Sequence, residues 1–198
     1  MKEAVATPRG RPRSEHGRTA ILGAANRLLH EVGLRKLTIE AVAIASSVGK
    51  PTIYRWWKTK GLLALDAYLE DMVAKIPSQS TEDASADFRS HMKAVLKFYG
   101  GPEGRVFADF IAEAQADPLL AEAFRTRFLA ERRRVVSAIW QRGVSSGAFR
   151  ADIDVDGAMD ILFAPIIYRL LAGHAPLAST LAEQLHDAAF RGLCVNEA

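Results

Sequence analysis

Residues 38–63, TIEAVAIASSVGKPTIYRWWKTKGLL, constrain the fold of this chain more than any other stretch. Thr38 is placed to cap a short helix from Ile39 to about Ala45, with Val42 facing inward. The SSVG that follows breaks it. A second short helix is expected from about Lys50 to Trp57, with Gly49 ahead of it and Pro51 in its first turn, where proline is tolerated. Upstream, SEHGRTAILGAANRLLHEVG repeats its apolar residues (Ile21, Ala24, Ala25, Leu28, Leu29, Val32) at i, i+3, i+4, i+7, with Ser14 as N-cap and Gly33 as C-terminal stop. Two short helices joined by a tight turn behind a longer one have the size and spacing of a helix-turn-helix.

The second short helix carries Tyr54, Trp56 and Trp57 among Lys50, Arg55, Lys58 and Lys60. That is too much charge for a core and too much indole for a solvated face. Charge along the chain is equally uneven. Residues 1–60 hold twelve Lys and Arg against four acids, net +8, while the remainder nets −5, giving the overall +3. A basic front on an acidic body points to a polyanionic partner at one end, nucleic acid first and a membrane surface second.

Elsewhere the pattern stays helical, with no sustained alternation and no Asn-Gly or Asp-Gly hairpin. A segment from about Leu62 to Ile76 ends at Pro77, PSQSTEDASAD connects, and helix-period stretches follow at roughly 84–99, 103–116, 118–144, 155–173 and 177–192. The expectation is an all-α chain of about nine helices: a basic arm over 1–13, a three-helix DNA-binding domain over 14–60, and a larger helical ligand-binding and dimerisation domain over 61–198. No uncharged run, the apolar Ile161–Tyr168 included, approaches the roughly 20 apolar residues that span a bilayer, so no membrane partner is expected. The start shows no secretory signal, and the single cysteine, Cys194, suits a reducing cytoplasm.

In a helix-turn-helix the second helix enters the major groove. Lys50, Thr52 and Arg55 can bond phosphates or base edges, and Tyr54 offers a ring to sugars and a hydroxyl to phosphate. Trp57, on the side of Ile53, is expected inward; Trp56 is expected near the rim. The plainer alternative is a basic surface helix with core tryptophans.

These residues resemble the DNA-binding domain of the tetracycline-repressor (TetR) family. Thr38, Ala43, Val48, Thr52, Ile53, Tyr54, Trp57, Lys60, Leu62 and Leu63 match the family pattern. Ser47 stands where glycine is usual, Gly49 where serine usually caps, and Pro51 where glycine is frequent. The resemblance covers about residues 14–65. It implies that Thr38 caps the second helix and bonds a phosphate. It also implies that Lys50, Pro51, Thr52 and Arg55 face base edges, that Tyr54 and Trp56 touch backbone or rim, and that Lys60 binds phosphate. Ahead of the first helix, Pro8-Arg9-Gly10-Arg11-Pro12 has the core pattern of an AT-hook, and Arg9, Arg11 and Arg13 could enter a narrow minor groove.

The resemblance over the larger part is loose and implies architecture rather than ligand. The last two helices would form a four-helix interface with a second copy, through Ile161, Leu162, Pro165, Ile166, Tyr168, Leu181, Leu185, Ala188, Ala189 and Gly192; burial inside one chain is the alternative. An internal pocket would draw on Phe98, Tyr99, Phe107, Phe110, Phe128, Trp140 and Phe163, with His91 and Gln115 as polar candidates, although aromatics at helical spacing also make plain core.

DIDVDG copies the opening of a calcium loop, but its twelfth position is Phe163 rather than a glutamate. The acids read better as helix N-terminal groups. The histidines and Cys194 lack metal-ligand spacing, so neither metal nor cofactor is expected. ERRRVV reads as a solvated face, or a bridge between domains. No nucleophile elbow, P-loop or dinucleotide fingerprint is present, so an enzyme is not expected. The function expected is a cytoplasmic, homodimeric regulator of transcription, in its simplest form a repressor, that binds a palindromic double-stranded operator and is released by a small-molecule effector. A DNA-bending or scaffolding protein without an effector is the alternative.

Overall fold

The computed structural model describes residues 11–76 and 79–193, and among these the chain is helical without a β-strand. The helices are α1 (Arg11–Lys36), α2 (Ile39–Ser46), α3 (Lys50–Trp56), α4 (Lys60–Lys75), α5 (Ala84–Tyr99), α6 (Pro102–Ala114), α7 (Pro118–Ala123), α8 (Ala130–Ser145), α9 (Val155–Ala172) and α10 (Ser179–Leu193). A π-helical turn, Phe124–Leu129, joins α7 to α8 without a break. The chain divides into two compact units, Met1–Tyr68 and Leu69–Ala198, so the division falls inside α4 rather than at its start.

In the first unit α1 starts at Arg11, and Ser14 lies within the helix instead of capping it. Pro12 is accommodated in the first turn, where its missing N–H has no helical partner to lose. Arg9 lies outside the described residues, as do the side chains of Arg11 and Arg13. Gly33 bends the chain with φ 77° and ψ 166°, a backbone state that a Cβ disfavours. Thr38 is extended and its hydroxyl oxygen accepts from the Ala41 N–H at 3.1 Å, capping α2.

The turn between α2 and α3 rests on Ser47, at φ 57° and ψ 30° the one non-glycine residue with positive φ among those described. The Val48 N–H closes back on the Ala43 carbonyl and the Ser47 N–H on that of Ile44, both at 3.2 Å, so carbonyls at the end of α2 are satisfied. A side chain in this left-handed geometry costs about 1–2 kcal/mol where glycine pays nothing. Ile21, Ala25 and Leu29 of α1, Val42 of α2, Ile53 of α3 and Leu63 of α4 are wholly buried. Each short helix thus contributes to one core, since neither could stand alone.

The second unit is built around Phe88, Met92 and Val95 of α5, Ile139 of α8 and Ile166 of α9. Phe149 lies flush on Gly143, where a Cβ would overlap its ring. Asp87 is 1% exposed; it accepts from the Thr81 N–H and hydroxyl at 2.8 Å each and pairs with Arg142. Burial alone would raise its pKa, but these partners hold the carboxyl below the usual range. The acids of DIDVDG have local partners. Asp154 caps α9 by accepting from the Asp156 and Gly157 N–H groups at 3.1 Å, Asp152 pairs with Arg150, and Asp156 pairs with Arg133. Among the described residues no helix is long and apolar enough to cross a membrane.

The residues expected at a partner interface separate by helical phase. Leu162, Ile166 and Leu181 are buried in the unit's own core, so they are not available to a second copy. Ile161 and Tyr168 are 55% and 66% exposed, and Leu171 is 47% exposed. Pro165, Leu185 and Ala189 are half-buried and Ala188 is exposed, while the burial of Gly192 lies outside the described residues. Positions 158, 162 and 166 recur every four residues on the inward side of α9; 161, 168 and 171 fall on the other side.

Candidate nucleic-acid interface and internal pocket

Helix α3 spends only Ile53 on the core, and Trp57 closes it from the next position, 3% exposed. The Trp57 indole N–H donates to Asp66 of α4 at 2.8 Å, which fixes the end of α3 against its neighbour. Everything else on α3 faces outward. Lys50, Pro51, Tyr54, Arg55 and Trp56 are exposed and Thr52 is half-buried. Trp56 keeps its ring centroid 6.2 Å from that of Trp57, at a 38° tilt. The outward edge therefore offers an ammonium, a guanidinium, a phenol and an indole over two turns. These groups bond phosphate oxygens and the edges of guanine and thymine, and they stack on sugars.

Two lysines have internal partners that the sequence did not disclose. Lys50 donates to Glu40 of α2 at 3.0 Å. Their hydrogen bond, reinforced by charge attraction, raises the lysine's pKa and lowers the glutamate's. Lys60 donates to the Leu34 and Arg35 carbonyls at 3.2 and 2.8 Å, capping the end of α1. An ammonium carries three donors, so this leaves one for another acceptor. Thr38 is exposed, and its hydroxyl hydrogen remains available while its oxygen serves as the cap. Ile44, 81% exposed on α2, is an apolar side chain of this unit that periodicity alone would not single out as surface.

The second unit contains a pocket of about 300 Å³. One wall runs from Leu129, the last residue of the π-helical turn, through Arg132, Arg133 and Val136 of α8, at i, i+3, i+4, i+7; the opposite wall comes from Met159, Asp160 and Phe163 of α9. Tyr99, Phe107 and Phe128 close it. Their rings are contiguous, with centroids 4.7 Å apart for Tyr99–Phe107 and 5.6 Å for Phe107–Phe128. The π-helical turn supplies Phe128, stacked on Phe124 at 5.1 Å. Gly104 keeps the α5–α6 corner tight, because a Cβ there would overlap the Tyr99 carbonyl oxygen.

Tyr99, Phe107, Phe128 and Phe163 thus come together on this pocket, and the other candidate ligand residues do not. Phe98, Phe110 and Trp140 are buried outside its lining, and Gln115 is exposed at the end of α6. His91 is buried at 4% exposure behind Phe163, which it meets edge-on at 6.4 Å. Neither of its ring nitrogens has a hydrogen-bond partner. Burial, helped by the nearby Arg132 charge, pushes its pKa down to about 3, so it is neutral.

Arg132 and Arg133 were legible only as part of a solvated run or an interdomain bridge. The structure instead places both on the pocket, with partners inside the same unit. Arg132 donates to the Tyr99 hydroxyl, and Arg133 pairs with Asp156 and, at 2.9 Å, with Asp160 of α9. Arg134 stays on the surface with Glu131 at 2.7 Å. Their spacing from Leu129 and Val136 was the available signal.

Sequence comparison agrees with this division. Residues 21–67 match the profile of bacterial regulatory proteins of the tetR family, and residues 79–189 match that of the tetracyclin repressor-like C-terminal domain. YdeS of Bacillus subtilis (strain 168), an uncharacterised helix-turn-helix-type transcriptional regulator, is 34% identical over 185 residues, 93% of each chain. The DNA-binding transcriptional repressor TetR of Mycobacteroides abscessus is 26% identical over 178 residues, covering 88% of this chain and 92% of that one. Among solved structures, the TetR family transcription regulator SCO0332 superposes with a TM-score of 0.81 at 32% identity, over 91% of this chain and 100% of that one. With an exposed cationic helix in its first unit and a pocket within its second, this chain belongs to the TetR family of DNA-binding, helix-turn-helix transcriptional regulators.

Proposed function

We propose that the protein is a ligand-responsive repressor that binds a palindromic operator as a homodimer and leaves it when a small molecule occupies the pocket of the second unit. The observation that carries the DNA half is the division of α3: Ile53 and Trp57 face inward, while Lys50, Tyr54, Arg55 and Trp56 face solvent. Arg55 reads base edges, Tyr54 and Trp56 pack along the backbone, and Thr38 and Lys60 hold phosphates at the ends of their helices. The repressor assignment draws on the Mycobacteroides relative.

Dimerisation is supported by Ile161, Tyr168 and Leu171, large apolar side chains left exposed on α9. Two copies would present their α3 helices about one DNA turn apart, roughly 34 Å, so the operator has two-fold symmetry. An effector that favours a spacing unsuited to both grooves lowers affinity by population shift.

The test is selection of bound sites from random duplexes. The proposal expects one enriched motif with two-fold symmetry and half-sites a helical turn apart. Absence of enrichment over bulk DNA would favour a scaffolding protein. For the dimer, sedimentation of Tyr168→Arg should show a shift to monomer; an unchanged species would exclude this face.

A further inference from the structure

Resting on the effector-responsive function proposed above, we infer that the pocket between α8 and α9 takes an uncharged, hydroxyl-bearing apolar molecule, whose hydroxyl reaches His91 of α5 when the Phe163 ring turns aside. At about 300 Å³ the pocket lies at the lower end of the roughly 300–1,000 Å³ of small-molecule sites. Phe107, Phe128, Met159 and Ile167 give it apolar walls. The arginines of its lining are already engaged, Arg132 with Tyr99 and Arg133 with Asp156 and Asp160. A polar group without a partner lies one ring away.

His91 is 4% exposed, and neither of its ring nitrogens has a hydrogen-bond partner among the described residues. Polar atoms buried in this way are costly, so the ring calls for a group from outside the chain to complete it. A neutral imidazole has one N–H to donate and one nitrogen to accept. A hydroxyl does both, so it pairs with His91 in either tautomer. A charged group would leave water to meet a ring that burial keeps neutral, at far greater cost than a hydroxyl.

Phe163 lines the pocket and meets the His91 ring edge-on at 6.4 Å, yet it is only half-buried. It also sits in the turn of α9 that contains Pro165. Proline has no N–H to donate to the Ile161 carbonyl four residues back, so the backbone carrying Phe163 is less restrained than a regular helix. A ligand hydroxyl that pairs with His91 favours the turned ring over the closed one, and the equilibrium shifts by that difference in affinity.

The experiment titrates the full chain at neutral pH with naphthols and with alkylphenols of graded length, read by thermal shift and by calorimetry. Each is matched by analogues that carry a methyl, a carboxylate or an ammonium group in place of the hydroxyl. Wild type is expected to bind at least one phenol or naphthol roughly 5- to 50-fold more tightly than its methyl analogue, and both charged analogues more weakly than the phenol. His91→Leu should bring that phenol down to the level of the methyl analogue and leave the methyl analogue unchanged. Phe163→Leu, which puts a smaller side chain in the way, should keep or widen the preference for the hydroxyl and guards against misfolding of the histidine variant, with far-UV circular dichroism checked for both. No binding of any phenol, a hydroxyl preference that survives His91→Leu or vanishes in Phe163→Leu, or a charged analogue that binds tightest would overturn the inference. Operator release is measured separately with the same compounds. Phenols that bind as predicted but leave the operator bound would sink the effector function and leave the ligand class standing. Release by compounds whose affinity ignores His91 would do the reverse.

Discussion

The two units handle polar side chains in opposite ways. In the first, the groups that matter are exposed: Lys50 and Glu40 meet in solvent, Arg55 faces outward, and Thr38 caps with its hydrogen still available. In the second they are buried: Asp87 is satisfied by Thr81 and Arg142, Tyr99 by Arg132, and His91 by nothing. Exposed groups exchange water for a phosphate or a base edge at small cost, which suits a surface that samples many DNA sites. Buried groups cannot make that exchange, so a ligand entering among them must supply the missing partner. One chain thus has a surface for a polyanion and an interior suited to a small molecule.

The contrast breaks most visibly if the first unit is loosened. Trp57→Ala removes the residue that closes the core below α3 and should cost about 3–5 kcal/mol. DNA binding should disappear in gel-shift assays while ligand binding by the second unit persists; loss of both together would deny the independence of the units.

The second prediction uses the buried histidine. The His91 value of about 3 in the folded protein lies below the ordinary 6.5, so between these the unfolded chain holds a proton that the folded one lacks. Stability from this group is complete above pH 6.5 and falls as the pH drops toward 3, by about 1.4 kcal/mol per pH unit. Urea unfolding across that range should show the slope in wild type and a flatter profile in His91→Leu. Equal slopes in the two proteins would place the histidine in contact with water.

A smaller effect is expected at the turn. Ser47→Gly relieves a left-handed side chain and should stabilise the first unit by about 1 kcal/mol without altering operator choice, as read by thermal melting and competition binding. The smallest effect belongs to Glu40→Gln, which releases Lys50 from its partner. Affinity for operator and unrelated DNA should rise together, and the slope of log K against log salt should steepen by about 0.9. A change confined to the operator would show that Glu40 acts in sequence reading instead.

The same contrast sets what the sequence made legible. Thr38 and Ile53 act within a few residues of themselves, so spacing alone located the cap and the inward edge of α3, whereas Gly33, expected as a stop, is a bend within α1, which runs on to Lys36. Arg132 and Arg133 could not be placed that way, because their meaning depends on Tyr99 and on Asp156 and Asp160, brought together only by packing. His91 was legible only as a polar candidate for the pocket, because its burial behind Phe163 of α9 depends on packing. Leu162, Ile166 and Leu181 looked available to a partner because apolar periodicity does not say which of two apolar faces turns inward. Lys60 shows the limit in the first unit: its position suggested a phosphate ligand, while its present acceptors are carbonyls of Leu34 and Arg35, a distant pairing in sequence.

The most direct measurement is operator affinity against salt for wild type and for the double variant Tyr54→Ala, Arg55→Ala, with a scrambled duplex as reference. If the outward edge of α3 reads the DNA, the variant should keep its fold and its weak, salt-sensitive binding to both duplexes and lose its preference for the operator. A variant that still prefers the operator as wild type does would contradict the account.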